Sequence, residues 1–263
     1  VEDWTRRMFI DRAVLFLKIM NERWPRTEVL VDGMIRLLKD FGIESGRVLD
    51  LCCGNGRVAI SFAEKGFRAL GVDMSPVFIE DARARAWELG VSERVDFVCG
   101  DVRRLLSLVP EGDRFDVVTS VWTSIGYYDK DGDLAVFRQA RQLTREGGIL
   151  FIAETAHRDS LSLRPYSSSF TFYEDIVLVE EAKWDALTSM LRTTWSFYAK
   201  RGDDLKFIDK IGFDIYIYSV SELVSMLREA GWETIATYGS LATRQPLSPL
   251  TELNLVAKTL KNE

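Results

Sequence analysis

Two runs of apolar residues at helical spacing open the chain. Phe9, Ala13, Phe16, Leu17 and Met20 form the first, and Val31, Ile35 and Leu38 the second, with Trp24-Pro25 between them. They predict two N-terminal helices, within residues 1–45, that either pad a sheet or cover its ligand edge. From Arg47 the pattern changes to short apolar runs alternating with amphipathic ones. Strands are expected over 48–53, 67–74, 95–99, 115–121 and 149–154, and helices over 57–65, 75–89 and 134–143. Ser75 with Pro76 has the chemistry of an N-cap followed by a first helical residue. Gly66, Gly90 and Gly147-Gly148 stand where helices should end. Strands and helices in this alternation predict an α/β protein, a parallel sheet covered on both faces.

After His157 the rhythm becomes extended. The stretches 170–184, 188–200 and 205–218 are rich in aromatic and β-branched residues, with turns such as Lys200-Arg201-Gly202-Asp203-Asp204 between them. They predict three antiparallel strands inserted into the α/β core. Ser219 and Glu222 have capping-box spacing for a helix reaching Ala230, and strands over 234–238 and 253–259 finish the chain. One elaborated domain over 1–263 is expected. Its parts are cap helices (1–45), a core from 46–157 and 219–263, and inserted strands (158–218).

Composition narrows the class. In 263 residues, 47% apolar and 28% charged, a sizeable core is expected, and a net charge of −6 argues against a general nucleic-acid binder. Three cysteines, with Cys52 and Cys53 adjacent, predict no disulfide framework, and one histidine makes a metal site unexpected. No apolar stretch reaches the length of a membrane span, and the charged N-terminus lacks the apolar core of a signal peptide. The expected compartment is a reducing cytoplasm.

The candidate chemistry lies at strand ends. Gly54-Asn55-Gly56 follows the first strand, where glycine lets a ligand lie against bare backbone. Asp73 comes 17 residues after Gly56, as a ribose-binding acid would, and Asp101 ends the third strand. Asp50 lies inside the first strand, where an acid is costly without a polar or cationic partner. The glycine turn alone also fits an NAD(P)-dependent oxidoreductase.

Taken together, Val48-Leu49-Asp50-Leu51-Cys52-Cys53-Gly54-Asn55-Gly56-Arg57, Gly71-Val72-Asp73-Met74-Ser75-Pro76, Phe97-Val98-Cys99-Gly100-Asp101-Val102 and Glu146-Gly147-Gly148-Ile149-Leu150 resemble the ordered motifs of class I S-adenosylmethionine-dependent methyltransferases of the small-molecule type, whose motif I reads V-L-D-L-C-C-G-x-G-R. The resemblance implies a Rossmann-like seven-stranded sheet, mostly parallel with an antiparallel last strand, N-terminal helices and a small inserted antiparallel sheet. It implies S-adenosyl-L-methionine as cofactor, held by Asp50, Cys52, Gly54, Gly56, Asp73, Met74, Asp101, Val102 and Val121. Within that set Asp73 would take the ribose hydroxyls, and Asp101 the adenine amine.

The acceptor is expected over the ends of the fourth and fifth strands. Trp122, Tyr127, Tyr128 and Arg158 are the candidate acceptor-binding residues, and His157, Tyr127 and Glu154 the candidate catalytic groups. Phe170, Phe172, Trp195 and Tyr216 either line that pocket or pack in a homodimer interface through the inserted strands. No D/N-P-P-Y segment follows the fourth strand, which with the acidic charge disfavours nucleic acid. A small-molecule acceptor is the expected partner, methylated on nitrogen ahead of oxygen. RNA or protein methylation, and a binding-only protein, are the alternatives.

Overall fold

The computed structural model describes residues 3–163 and 165–260. The N-terminal segment comprises α1 (Trp4–Arg6), a π-helical turn over Arg7–Asp11, α2 (Ala13–Asn21) and α3 (Trp24–Asp40). Pro25 sits in the first turn of α3, where its missing N–H is not needed, so it starts that helix as the sequence suggested. The first helical run is itself interrupted at Arg12 (φ −120°, ψ 20°).

The core then runs β1 (Arg47–Leu51), α4 (Arg57–Glu64), β2 (Arg68–Asp73), α5 (Pro76–Glu88), β3 (Val95–Cys99), a 3-10 turn over Val102–Arg104, α6 (Leu105–Leu108), β4 (Phe115–Val121), α7 (Lys130–Gln142) and β5 (Thr144–Thr155). The short α8 (Arg158–Ser162) leads into four strands, β6 (Tyr166–Tyr173), β7 (Ile176–Asp185), β8 (Met190–Arg201) and β9 (Asp204–Tyr216). The chain ends with α9 (Val220–Glu229), β10 (Trp232–Ser240), β11 (Gln245–Pro246) and β12 (Leu253–Thr259).

The large sheet has the order β11-β10-β12-β5-β4-β1-β2-β3. Strands β1 to β5 pair in parallel, and β12 runs antiparallel to both β5 and β10. The expected sheet is therefore present with one addition, the two-residue β11, too short to leave a pattern. The fifth strand is longer than expected because a register shift between Phe115 and Val117 lets pairing begin at Thr144. Helix α7 starts four residues early, at Lys130, because the Asp129 carboxylate accepts the Gly132 N–H.

The inserted sheet has four strands in the order β6-β7-β8-β9, not three. The stretch read as one strand over 170–184 folds back at Glu174-Asp175, with Glu174 in the left-handed region (φ 30°). No glycine or proline marks that turn.

Three apolar clusters place the site. On one face of the large sheet α3, α4 and α5 pack Leu30, Met34, Leu38, Val58, Phe62 and Ile79 against Val48, Val117 and Phe151. On the other, α7 and α9 pack Phe137, Leu223 and Leu227 against Leu49, Val118 and Leu255. In the third cluster, Met8, Phe9, Phe16 and Ile19 bury against Trp195, Phe197, Ile211, Phe213 and Ile215 of the inserted sheet. Asp209 of β9 pins this layer by ion pairs to Arg7 (2.9 Å) and Arg12.

The capping box at α9 is complete. Ser219 Oγ accepts the Glu222 N–H, and the Glu222 carboxylate accepts the Ser219 N–H at 2.8 Å. Replacing Ser219 by alanine is expected to cost about 0.5–2 kcal/mol of unfolding free energy, measured by urea titration. A midpoint equal to that of the parent protein would rule out a stabilising cap.

Candidate functional site

The carboxyl ends of β1, β2, β3 and β4 meet at a cleft of about 740 Å³, the space at its mouth included, roofed by Phe9, Phe16 and Met20 of the N-terminal segment. Of the cofactor residues named from sequence, Asp50, Cys52, Gly54, Asp73, Met74, Asp101, Val102 and Val121 line it. Gly56 does not. It is the N-cap of α4 in the left-handed conformation (φ 74°), and an added Cβ would lie 2.7 Å from the Phe97 ring. Its contribution is to turn the chain from strand to helix.

Each acid is held differently. Asp50 is 2% exposed, paired in register with Thr119 of β4, whose hydroxyl donates to Oδ1 at 2.6 Å. Asp50 Oδ2 is buried with no hydrogen-bond partner. Burial, opposed by the Thr119 bond, the Arg57 charge and the backbone N–H of Ala59, which approaches the carboxyl without completing a hydrogen bond to Oδ2, lifts it from 3.8 to about 7. Asp73 Oδ2 accepts the Gly54 N–H and Oδ1 the Ser75 N–H, both at 2.9 Å. These bonds aim the carboxylate and leave each oxygen a further lone pair, while burial raises its pKa to about 6.

Asp101, the expected partner of the adenine amine, is already engaged. Arg103 grips it with its backbone N–H, Nε and Nη2 at 2.6–3.1 Å. Burial alone would raise this carboxyl, but the Arg103 hydrogen bonds and charge prevail and hold it below its ordinary value. The same guanidinium lies 4.1 Å above the Tyr128 ring.

Three strand ends carry strained non-glycine backbone on this edge of the sheet. Cys52 (φ 52°) follows β1, Trp122 (φ 61°) and Thr123 (φ 55°) follow β4, and Glu154 (φ 51°) stands near the end of β5. Such left-handed positions cost of order 1–3 kcal/mol each and cluster where backbone shape serves a ligand.

Of the acceptor candidates, Trp122, Tyr127 and Tyr128 line the cleft, together with Ser124. Arg158 does not. It donates to Glu222 at 2.6 Å and to the Tyr216 hydroxyl at 3.3 Å, on the α9 side. His157 lies outside the lining, 1% exposed, with Nε2 2.9 Å from the Thr251 carbonyl oxygen. Glu154 also lies outside it, 3.9 Å from both Arg23 and Arg57. Tyr127 is well placed, but burial raises its phenol, so at neutral pH it is a donor rather than a base.

Beside the cleft lies a second chamber, open to solvent, of about 650 Å³ with the space at its mouth included. Phe9, Phe16, Trp122 and Tyr127 line both spaces. Trp195, named from sequence, lines it on the inserted sheet. Phe170 and Phe172 are exposed, and Tyr216 bonds to Glu222 instead. Sequence reasoning missed Phe9, Phe16, Met20 and Phe78 as cleft walls, because a helical apolar stripe does not say what it covers. It also passed over Arg57, 5% exposed, and Glu180 of the chamber. Glu180 carried a signal, as an acid in the apolar register of Ile176 and Leu178.

Residues 48–148 match the family model described as a methyltransferase domain. The putative methyltransferase YqeM of Bacillus subtilis (strain 168) is 25% identical over 191 residues, 72% of this chain and 74% of that protein. Among solved structures, the CcbJ methyltransferase from Streptomyces caelestis superposes with a TM-score of 0.75 at 20% identity, covering 90% of each chain. SAM-bound CalS10, an amino pentose methyltransferase from Micromonospora echinaspora, gives 0.66 at 17% identity, covering 87% of this chain and 89% of that one. The fold is thus the Rossmann-like one of these methyltransferases. No helix among the described residues is long and apolar enough to cross a membrane.

Proposed function

We propose that this protein transfers a methyl group from S-adenosylmethionine to a nitrogen of a small molecule. The observation that carries the reading is Asp50 Oδ2, a buried oxygen with no hydrogen-bond partner near the end of β1, lining the cleft beside Gly54. A nicotinamide dinucleotide has no ammonium to offer it, whereas the methionine part of S-adenosylmethionine does. The other residues of the cleft fit as well. Asp73, aimed by backbone N–H groups, would take the ribose hydroxyls, Gly54 would admit the chain close to backbone, and Met74 and Val102 would pack on the adenine. Asp101 would meet the adenine amine while still held by Arg103.

When bound, S-adenosylmethionine supplies a methyl group activated by a sulfonium. The chain's own share is alignment and exclusion of water. Phe9, Phe16 and Met20 of the N-terminal segment cover the cleft, and the inserted sheet walls the chamber beside it, which suits a small acceptor rather than an RNA. The name of CalS10, an amino pentose methyltransferase, supports a small amino compound as the acceptor.

Calorimetric titration with S-adenosylmethionine, S-adenosylhomocysteine and NADH tests this. Both adenosyl compounds are expected to bind and NADH not to; a response to NADH alone sinks the reading. Asp73→Ala is expected to weaken S-adenosylhomocysteine binding by about 1–3 kcal/mol, the cost of losing a charged hydrogen-bond acceptor. An unchanged dissociation constant in a folded variant would remove Asp73 from the ribose.

A further inference from the structure

The chamber beside the cleft is an aromatic box with one acid in it. Its walls include Trp4, Phe16, Trp122, Tyr127, Trp195 and Phe213. The rings brace one another. Phe16 stacks on Trp122 (centroids 5.5 Å) and on Trp195 (5.6 Å), and Trp4 stacks on Phe213 (5.2 Å) with Tyr127 edge-on at 5.1 Å. Into this box projects Glu180, from the middle of β7, opposite Trp195 in register.

An acid in an apolar wall is costly unless it has a partner. Glu180 receives one hydrogen bond, from the Trp195 indole N–H to Oε2. Among the described residues its Oε1 has no donor and no cationic nitrogen pairs with it. The cation that acts on it is Arg23, which is already spread over the Trp122 ring at 3.7 Å. A carboxylate with a spare oxygen, ringed by aromatic faces, is the chemistry that recognises an organic cation.

We propose that this chamber is the acceptor subsite and that Glu180 selects acceptors carrying a basic nitrogen, which it holds as the protonated amine by charge and hydrogen bond among the aromatic walls; the nitrogen regains the lone pair that takes the methyl group when its proton passes to the Glu180 carboxylate. The acceptor class is then a compact organic amine with apolar carbon around the nitrogen. The assignment rests on the methyltransferase reading only for what fills the neighbouring cleft.

The test titrates the full chain, with and without S-adenosylhomocysteine, against two probes of similar size, benzyltrimethylammonium and benzyl alcohol. The parent protein is expected to bind the cation at least about tenfold tighter than the alcohol. Glu180→Gln is expected to abolish that preference while leaving S-adenosylhomocysteine affinity within twofold and the thermal midpoint in place. Equal affinity for the two probes in the parent protein overturns the proposal, and this arm needs no variant. So does a preference that survives in folded Glu180→Gln. If the cation preference holds but S-adenosylhomocysteine does not bind, the amine site stands and the methyltransferase reading falls.

Discussion

Gly126→Ala is expected to lower the thermal midpoint by roughly 6–12 °C and to impair binding in the cleft. Gly126 lies in the left-handed region (φ 86°), and a Cβ there would stand 2.0 Å from the backbone oxygen of Tyr216. No rotamer can relieve a clash with backbone. Gly126 also joins three elements. Its N–H donates to Asp133 of α7 (3.0 Å), its carbonyl accepts the Tyr216 N–H at the end of β9 (2.9 Å), and Asp133 takes the Tyr218 hydroxyl as well. Strain at φ and overpacking each cost about 1–3 kcal/mol, so about 3 kcal/mol or more is expected, at roughly 2–4 °C per kcal/mol for a chain this long.

The functional consequence follows from the neighbours. Ser124, Tyr127 and Tyr128 flank this glycine and line the cleft. A loop pushed off β9 carries them with it, so S-adenosylhomocysteine affinity should fall together with the midpoint. Differential scanning calorimetry and titration of the same preparation check both. An alanine variant melting within 2 °C of the parent protein would mean that the loop yields without cost, and the junction would lose its role.

How much of this was legible in the sequence depended on the range of the forces involved. The α/β core could be read because each strand is a short apolar run closed by local turn chemistry, as at Ser75-Pro76, whose cap the structure reproduces. The acids at strand ends were legible for the same reason, since a residue at the end of a parallel strand has few places to go. The Glu174-Asp175 turn was not, because it is closed by β6 pairing with β7, Tyr173 opposite Ile176, rather than by glycine or proline. His157 attracted attention as the single histidine. Its position depends on Thr251, 94 residues away, a contact no local pattern announces. The N-terminal helices showed their apolar stripe plainly. Which surface that stripe met was decided by the inserted sheet, whose Trp195 and Phe213 draw Phe16 and Trp4 across the cleft.

Asp50→Asn is expected to move stability and binding in opposite senses. In the folded chain burial holds the Asp50 carboxyl at about 7 rather than 3.8. The folded protein therefore keeps a proton that the unfolded chain has already released. That contribution to stability is complete below pH 4 and is lost as the pH rises towards 7. Removing the titrating group should shrink the fall in unfolding free energy between pH 4 and 7 by up to about 4 kcal/mol. Asp73 and Asp133, both raised to about 6 chiefly by burial, preserve the rest of the fall. Binding goes the other way. Without the carboxylate the ammonium of S-adenosylhomocysteine loses its charged partner, and affinity at pH 8 should drop by about 1–3 kcal/mol. Urea titrations across that pH range, paired with calorimetry at pH 8, measure both quantities. If the pH slope flattened while affinity stayed whole, Asp50 would be a buried acid with a structural duty, and the ammonium would have to be held elsewhere.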